Sequence, residues 1–394
     1  MVSKSSAVLP YAWVILAVVY LASIVAPLNQ FKVPPIMPVL MMELHITLTQ
    51  AGSLMSVMAV IGLILALPAG IILQRVGSRT TGLLALGCMA AGAGMGALSA
   101  RYDVLMVSRV IEGAGVGLIG VAAPATIALW FPPARQGAPM GIWATWVPFG
   151  TLTVYILAPL LTASLGWQAV WWVGAGFALV MMVIYGALVR RPPAQPLADP
   201  DESEQSTLRH ALANRSIWLL ATEFACFSLT LVGMGTYYPT FLSEVRHYPL
   251  GQAAFISSIT SMMVLISAPL AGTISDRIGS RRLVFSLPFL PIALLLIFPF
   301  RVTGWQIIAI LVAQGLLAGG IPTATFVAAS EVMRKPQWAG LGLAVVMIGQ
   351  NLGLLIGPVL FGQLVRSMGW AAAGYMMIPV CLLGFLCGWM VKVR

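Results

Sequence analysis

The sequence predicts an all-α membrane protein with twelve transmembrane helices arranged as two similar six-helix bundles. Of its 394 residues, 60% are hydrophobic and only 8% are charged, the apolar residues fall into twelve long runs, and one short motif occurs twice. A soluble domain is nearer half apolar and a quarter charged, so lipid rather than water must surround most of this chain. Because a spanning helix needs roughly 20 apolar residues, twelve spans account for most of the hydrophobic residues.

The predicted spans follow one another along the chain with short polar loops between them. We place spans 1 to 12 near 11–40, 51–73, 80–99, 104–129, 138–161, 168–189, 216–238, 251–274, 283–300, 305–330, 338–362 and 370–391. The first six residues are polar, and the apolar segment after them lacks a small-residue cleavage site and is followed by more spans, which predicts a retained first helix. The stretch 190–215 holds four of the 11 acidic residues and four prolines, as is typical of a solvated linker. The predicted domains are therefore a bundle at 1–189, a linker at 190–215 and a bundle at 216–394.

The basic residues predict the orientation of the chain. Fifteen of the 21 Lys and Arg residues lie in loops on the side of the two termini and four lie on the opposite side, while Lys32 and Arg109 lie inside spans. The positive-inside rule then predicts that both termini are cytoplasmic. We expect the protein to lie in an inner membrane. The net charge of +10 thus reflects the topology of the chain. We predict that the protein contacts the lipid bilayer and does not bind nucleic acid.

The loops after spans 2 and 8 carry the same motif. The first reads GIILQRVGSRT from Gly70, and the second reads GTISDRIGSRR from Gly272. At a constant offset of 202 residues, the positions Gly70, Arg75, Gly77, Ser78 and Arg79 recur as Gly272, Arg277, Gly279, Ser280 and Arg281. Internal repeats are a common transporter construction, with the binding site near the midplane between them.

This motif resembles the loop signature G-x-L-a-D-R-x-G-r-[R/K] of the major facilitator superfamily. The second copy fits it at Gly272, Asp276, Arg277, Gly279, Arg281 and Arg282, whereas the first has Gln74 in place of the Asp. RVIEGAGVG, from Arg109, is similar to the family's R-x-x-x-G-x-G helix. FPPARQGAPMGIW, from Phe131, looks most like the cyanate-permease and nitrate-type branches. The resemblance covers roughly 11–391 and implies the major facilitator fold, with both loops gating the cytoplasmic side. The alternative is loop charge that serves topology alone.

Charged side chains inside spans are candidates for function because burying them in a membrane is expensive. Arg109 and Glu112 in span 4 stand at i and i+3, on one face of the helix. We predict that Arg109 contacts the substrate and that Glu112 couples transport to protons; the alternative is a permanent structural pair. Glu223 in span 7 is a second proton candidate, with a bond to a neighbouring helix as its alternative role.

Asn29, Gln30 and Lys32 interrupt the apolar run of span 1 and are predicted substrate ligands. A desolvated ammonium group on Lys32 would favour an anionic ligand. The alternative is that the Lys32 side chain snorkels to the outer surface. Organic-anion transporters of the family it resembles often carry a basic residue where this chain has Gln30, which implies that Lys32 takes over that role.

Neutral polar and aromatic residues complete the predicted substrate site. Gln350 and Asn351 in span 11 and Gln314 in span 10 lie near the midplane and offer both donors and acceptors. Trp146 in span 5 would form an aromatic wall.

Two further groups of residues are interpreted as structural. Gly349, Gly353 and Gly357 form a small-residue stripe in span 11 for close helix contact. Tyr237 and Tyr238 are expected in an interfacial belt at the outer surface, with gating as the alternative role.

The sequence favours transport over catalysis, so we predict no enzyme activity. Gly115-x-Gly117-x-x-Gly120 matches a dinucleotide fingerprint but lies inside a span, without the βαβ unit that the motif requires. No Walker loop or CxxC metal motif occurs, and we predict no cofactor and no metal. We predict a monomeric secondary transporter that imports a small organic or inorganic anion by alternating access, with proton coupling or anion exchange. The alternatives are a proton-linked exporter of drugs or metabolites and a non-transporting membrane sensor or scaffold.

Overall fold

A computed structural model describes residues 10–65, 68–131, 137–190, 214–333 and 339–393. Eleven helices in this part of the chain are long and apolar enough to cross a membrane. The ninth predicted span is present as two shorter helices, Arg281–Ser286 and Phe289–Leu295, which are separated at Leu287 and Pro288. The predicted all-helical architecture of twelve spans in two bundles is confirmed. Most of the predicted linker lies outside the described residues.

The first half contains spans 1 to 6. Their helices are Pro10–Gln30, Leu48–Leu65, Pro68–Ala97, Tyr102–Trp130, the pair Gly137–Ala144 and Trp146–Leu165, and Gln168–Leu188. A non-helical residue, Gly77, divides Pro68–Ala97 into the end of span 2 and span 3. The second half contains spans 7 to 12. Besides the two helices of span 9, these are Arg215–Glu244, Leu250–Ile278, the pair Trp305–Ala318 and Gly320–Val332, Ala339–Met368, and Trp370–Trp389. Span 7 begins with a side-chain cap, because the Asn214 Oδ1 atom accepts a hydrogen bond from the Ser216 backbone N–H.

The prediction that span 1 continues to residue 40 is wrong. Its helix ends at Gln30, and the chain then forms a 3-10 helix, Pro34–Ile36, and a short helix, Met37–Glu43. Proline has no backbone N–H to donate, so Pro34 and Pro35 interrupt the α-helical hydrogen bonds. We call residues 31–43 the distal strap, and we call the membrane face opposite the two chain termini the distal side. The strap packs on spans 7 and 8 of the second half.

Unusual backbone conformations recur at the offset of the sequence repeat. Gly77 separates two helices within Pro68–Ala97 with a φ of 79°, and Gly279 ends span 8 with a φ of 68°. His45 and His247 have φ values of 51° and 59°, and they too are 202 residues apart. Such angles favour glycine over side-chain-bearing residues, which explains why a glycine recurs at Gly77 and Gly279.

Helix packing repeats in the same way. A Cβ atom at Gly113 in span 4 would lie 3.0 Å from the backbone of Met58 in span 2. Its counterpart, Gly315 in span 10, faces the backbone of Thr260 in span 8, again at the offset of 202. The two bundles are therefore built on one packing plan, as the repeat predicts.

The halves meet along two pairs of spans. Span 2 packs on span 11 and span 5 packs on span 8, while the distal strap crosses to spans 7 and 8. Within the second half, the predicted glycine stripe of span 11 lies against span 7, because side chains at Gly349, Gly353 and Gly357 would meet the backbones of Ala221, Ala225 and Leu229. The interpretation of this stripe as a packing surface is confirmed.

Replacing Gly353 by Ala should destabilise the protein by about 1–3 kcal/mol, the usual penalty for overpacking a tight contact. The added methyl group would collide with the Ala225 carbonyl oxygen on span 7. Thermal unfolding of the purified protein in detergent measures the change. Gly176→Ala is the control, because a Cβ atom there meets nothing within 4 Å. Equal midpoints for the two variants would contradict the close contact.

Candidate functional site

Four predicted site residues meet inside the first half, and we call Asn29, Lys32, Arg109 and Glu112 the charge cluster. All four are fully buried. The Lys32 Nζ atom lies 2.6 Å from Glu112 Oε1, and the Arg109 Nη1 atom lies 2.5 Å from Glu112 Oε2. Each carboxylate oxygen of Glu112 thus holds one cation. The candidate residues of span 1 and those of span 4 therefore form one site, with Glu112 at its centre.

Lys32 is held by neutral groups as well as by Glu112. Its Nζ atom donates a hydrogen bond to Asn29 Oδ1 at 3.0 Å and lies 4.3 Å from the centre of the Trp171 ring. The Asn29 amide is itself fixed, because its Nδ2 atom donates to the Val25 carbonyl at 2.9 Å. Lys32 therefore does not snorkel to a surface: its side chain is only 1% exposed.

Arg109 caps the end of span 1. Its Nη1 and Nη2 atoms donate to the carbonyls of Asn29 and Gln30 at 2.5 and 2.7 Å, and its Nε atom donates to the Leu54 carbonyl at 2.9 Å. The last four carbonyls of a helix lack partners within that helix, and the negative end of the helix dipole favours a cation there. Arg109 consequently joins spans 1, 2 and 4.

The formal charges of the cluster do not cancel when its three ionisable groups are all charged. Two cations share one carboxylate, so the ionised cluster carries one net positive charge in a fully enclosed place. Removing an ion from water carries a penalty of several kcal/mol, which only good geometry and further hydrogen bonds can offset. The backbone carbonyls and the Trp171 face supply such contacts. An excess positive charge remains, and an added anion would balance it.

The second half carries neutral residues at the equivalent positions. At an offset of 202, Glu112 corresponds to Gln314, Lys32 to Met234, and Asn29 to Leu231. Gln314, Met234 and Leu231 line a cavity of about 20 Å³. The Gln314 Nε2 atom is buried and has no hydrogen-bond partner among the described residues. The cavity is large enough for about one water molecule. Gln314 therefore lies within the second bundle, and its role as a substrate ligand remains a prediction.

Of the other predicted substrate ligands, Gln30 adjoins the charge cluster through its backbone carbonyl, and the rest lie elsewhere in the two halves. Trp146 stacks on Trp143 with ring centres 5.5 Å apart, and Trp143 donates from Nε1 to Ser23 Oγ on span 1. Asn351 lies where span 11 meets span 2, because a side chain at Gly62 would collide with its amide. Gln350 and Gln30 are half-buried.

Glu223 forms a separate buried carboxyl site in the second half. Its Oε2 atom accepts a hydrogen bond from Thr325 Oγ1 at 3.1 Å, whereas its Oε1 atom has no partner among the described residues. Glu223 thus has the bond to a neighbouring span that was its alternative interpretation. The free oxygen keeps it a candidate for proton binding.

The predicted gating loops place most of their charges at the surface on the side of the termini. Arg79 donates to the Gly186 carbonyl at the end of span 6, while Arg75 and Arg277 are exposed. Arg281 bonds to Glu331 Oε1 at 3.3 Å and to Ser275 Oγ at 2.9 Å. Gly70 lies in the helix Pro68–Ala97, and Gly272 lies in the helix Leu250–Ile278. The structure does not describe the side chains of Gln74 and Asp276.

Sequence reasoning missed two partners of these sites. Thr325 could have been found, because a hydroxyl group inside a span is a polar signal of the same kind as a buried acid. Trp171 gave no such signal, since an aromatic residue near the end of a span is usually an interfacial residue. The distal strap was also missed, although Pro34 and Pro35 mark it.

Comparisons with known proteins agree with one another. The family model described as Major Facilitator Superfamily matches residues 19–335 and 250–394. A probable sulfoacetate transporter of Cupriavidus necator is 21% identical over 90% of this chain and 87% of its own length. A hexuronate transporter of Bacillus subtilis is 20% identical over 65% of this chain, which spans 63% of that relative. A probable nitrate/nitrite antiporter of Thermus thermophilus is 24% identical over 73% of this chain and 63% of its own length.

The fold is similar to that of a solved transporter. The crystal structure of a bacterial homologue of the human lysosomal transporter Spinster superposes with a TM-score of 0.76. The match covers 98% of this chain and 93% of that one at 16% sequence identity. At this identity the likeness concerns the fold alone.

The unequal charges of the cluster predict unequal effects of substitution. Glu112→Gln leaves two buried cations without a counter-charge and should lower the free energy of unfolding by about 3–5 kcal/mol, the usual loss for a broken buried ion pair. Lys32→Met leaves one cation and one carboxylate, so we expect a much smaller change. Thermal unfolding in detergent measures both.

Arg101→Ala is the matched control for this comparison. It breaks the Arg101–Asp103 pair of the same span, whose side chains are 77% and 76% exposed. Exposed pairs contribute little, so the midpoint should not move. Equal losses for Glu112→Gln and Lys32→Met would contradict a cluster with excess positive charge.

Proposed function

The chain belongs to the Major Facilitator Superfamily, and we propose that it is a secondary transporter of a small organic or inorganic anion that works by alternating access. We further propose that proton coupling or exchange for a second anion drives uptake. The charge cluster is the observation that carries this proposal. Its two cations and one carboxylate are the largest concentration of buried charge in the described part of the chain.

An anionic substrate would complete the charge balance of the cluster. Lys32 and Arg109 already bind one carboxylate, that of Glu112, through direct ion pairs. A carboxylate, sulfonate or nitrate group offers the same acceptor chemistry and could take its place when the surroundings open. The names of the sulfoacetate, hexuronate and nitrate/nitrite relatives all refer to small anions, which supports this substrate class.

Glu112 would couple this exchange to protons. A protonated Glu112 no longer neutralises Lys32 or Arg109, so uptake of a proton raises the positive charge that is available to a substrate anion. Release of the proton restores both ion pairs and favours release of the anion. This linkage between one proton and one anion is the chemical basis of the proposed symport. Glu223 is the second proposed proton site.

The distal strap would connect the cluster to the movement of the halves. Lys32 lies in the strap, and the strap packs on spans 7 and 8 of the second half. When the distal side opens, the strap must leave those spans, and access to Lys32 and Arg109 changes. Trp146, Gln314, Gln350 and Asn351 are proposed to contact the remainder of the substrate.

The loops after spans 2 and 8 are proposed to gate the opposite face. We propose that the protein lies in an inner membrane with both termini in the cytoplasm, so the face with these loops is the cytoplasmic face. Arg79 and Arg281 would hold the loops against the ends of neighbouring spans through the contacts described above. The chain is proposed to act as a monomer.

Uptake by purified protein in proteoliposomes tests the proposal. We expect uptake of at least one member of a panel of small carboxylates, sulfonates and nitrate, accelerated by an inward proton gradient. Glu112→Gln should abolish the acceleration but retain exchange of internal for external anion, because exchange moves no net proton. Glu223→Gln, tested in parallel, separates the two proton candidates.

Arg101→Ala again serves as the control and should transport like the parent protein. Uptake of neutral or cationic compounds but of no anion in the panel would refute the substrate class. A proton gradient that still accelerates anion uptake by Glu112→Gln would refute the coupling role of Glu112.

A further inference from the structure

Tyr237 lies at the distal junction of the two halves, and its hydroxyl group touches both. The residue is fully buried, which corrects the expectation of an interfacial belt. Its Oη atom lies 2.7 Å from the Pro358 carbonyl of span 11 and 3.3 Å from the Leu48 carbonyl of span 2. A tyrosine hydroxyl has one proton, so the shorter bond within the second half dominates and the contact to Leu48 is the weaker one.

Two glycines make room for this hydroxyl, one from each half. A Cβ atom at Gly52 of span 2 or at Gly362 of span 11 would collide with the Tyr237 Oη atom. We call Gly52 and Gly362 the glycine notch. The tyrosine ring also stacks on Phe361 of span 11, with ring centres 5.8 Å apart. The ring is thus fixed to the second half, while its hydroxyl projects into a notch that the first half completes.

We propose that Tyr237 is the positioning residue that closes the distal side, through insertion of its hydroxyl group into the glycine notch. The inference rests on the alternating access proposed above. When span 2 withdraws, the contacts with Leu48 and Gly52 are lost, whereas those with Pro358 and Phe361 stay within the second half. A group shifts a two-state equilibrium only through contacts that differ between the states. For Tyr237 these are the contacts with span 2.

The neighbouring tyrosine provides a matched control. Tyr238 is also buried, and its hydroxyl donates to the Pro299 carbonyl at 3.1 Å. That bond lies wholly within the second half, so it is the same in both states. Removing the Tyr238 hydroxyl should therefore leave the balance between distal-closed and distal-open states unchanged, although it removes a bond of the same kind.

Distances between spin labels on the distal side test the proposal. Leu98 at the end of span 3 and Met368 at the end of span 11 belong to different halves and are 77% and 53% exposed. Both are changed to Cys and spin-labelled in a variant that lacks the four native cysteines. Pulsed electron paramagnetic resonance then records the distribution of distances between the two labels. Tyr237→Phe should increase the share of long distances about 2-fold, near the lower end of the effect of one net hydrogen bond, because only the weaker contact with Leu48 differs between the states. Tyr238→Phe should not change it.

A second pair of variants keeps the test decisive if one protein is unstable. Gly52→Ala should also increase the long-distance share, because its methyl group and the Tyr237 hydroxyl cannot occupy one place. Adding Tyr237→Phe to Gly52→Ala should bring that share part of the way back down, since the colliding oxygen is gone while the ring carbon 2.9 Å from the Cβ position remains. Independent effects of the two changes, or equal distributions for Tyr237→Phe and Tyr238→Phe, would overturn the proposal.

This measurement separates the inference from the proposed function. The distances need no substrate, so a wrong substrate class leaves their interpretation intact. If the parent protein shows two distance populations and Tyr237→Phe does not change their ratio, Tyr237 is not the closing residue, and the transport proposal stands. If none of the variants, including Gly52→Ala, produces a second population, this inference and the proposed alternating movement fail together.

Discussion

Lipid hydrocarbon offers no hydrogen bonds, so every peptide group and every charge within the membrane must find a partner inside the protein. Unbroken helices meet this requirement by themselves, but this chain breaks its helices at several depths. Where span 1 ends at Gln30, the guanidinium group of Arg109 takes up the last carbonyls. Where span 9 ends, the Tyr238 hydroxyl donates to Pro299. Buried polar side chains therefore make it possible for irregular segments to lie within the bundles.

The same requirement explains why each charged group of the charge cluster has several polar partners. Glu112 forms direct ion pairs with Lys32 and Arg109. Arg109 also donates hydrogen bonds to backbone carbonyls, and Lys32 lies against the face of the Trp171 ring. The second half follows the same packing plan with Gln314 and Met234 at the corresponding positions, and it has a small cavity instead of ion pairs. The repeat thus preserves the packing of the helices, while the chemistry has diverged. Charge chemistry is concentrated in the first half.

Contacts between the halves are of a different kind from those within them. Spans 2 and 11 approach closely at glycines, with Gly52 near the Pro358 carbonyl and Gly62 against the Asn351 amide. Among the described residues, the hydrogen bonds that cross between the halves are those of the Tyr237 and Tyr155 hydroxyls. No ion pair among the described residues joins the halves. An interface that depends on small residues and few hydrogen bonds can separate without leaving charges unpaired.

The sequence by itself determined the solvent, the number of spans and the repeat, because hydrophobic length and a fixed residue offset are properties of the chain alone. It also marked Arg109 and Glu112 as partners, since a spacing of three residues puts both on one helix face. The sequence left two positions open for Lys32, at the outer surface or in a cavity, and the structure has it enclosed beside Glu112, 80 residues away in sequence. Such pairings, like the place of Tyr237 between two glycines, depend on how separate helices pack. A local sequence pattern does not specify which residues of distant helices come into contact.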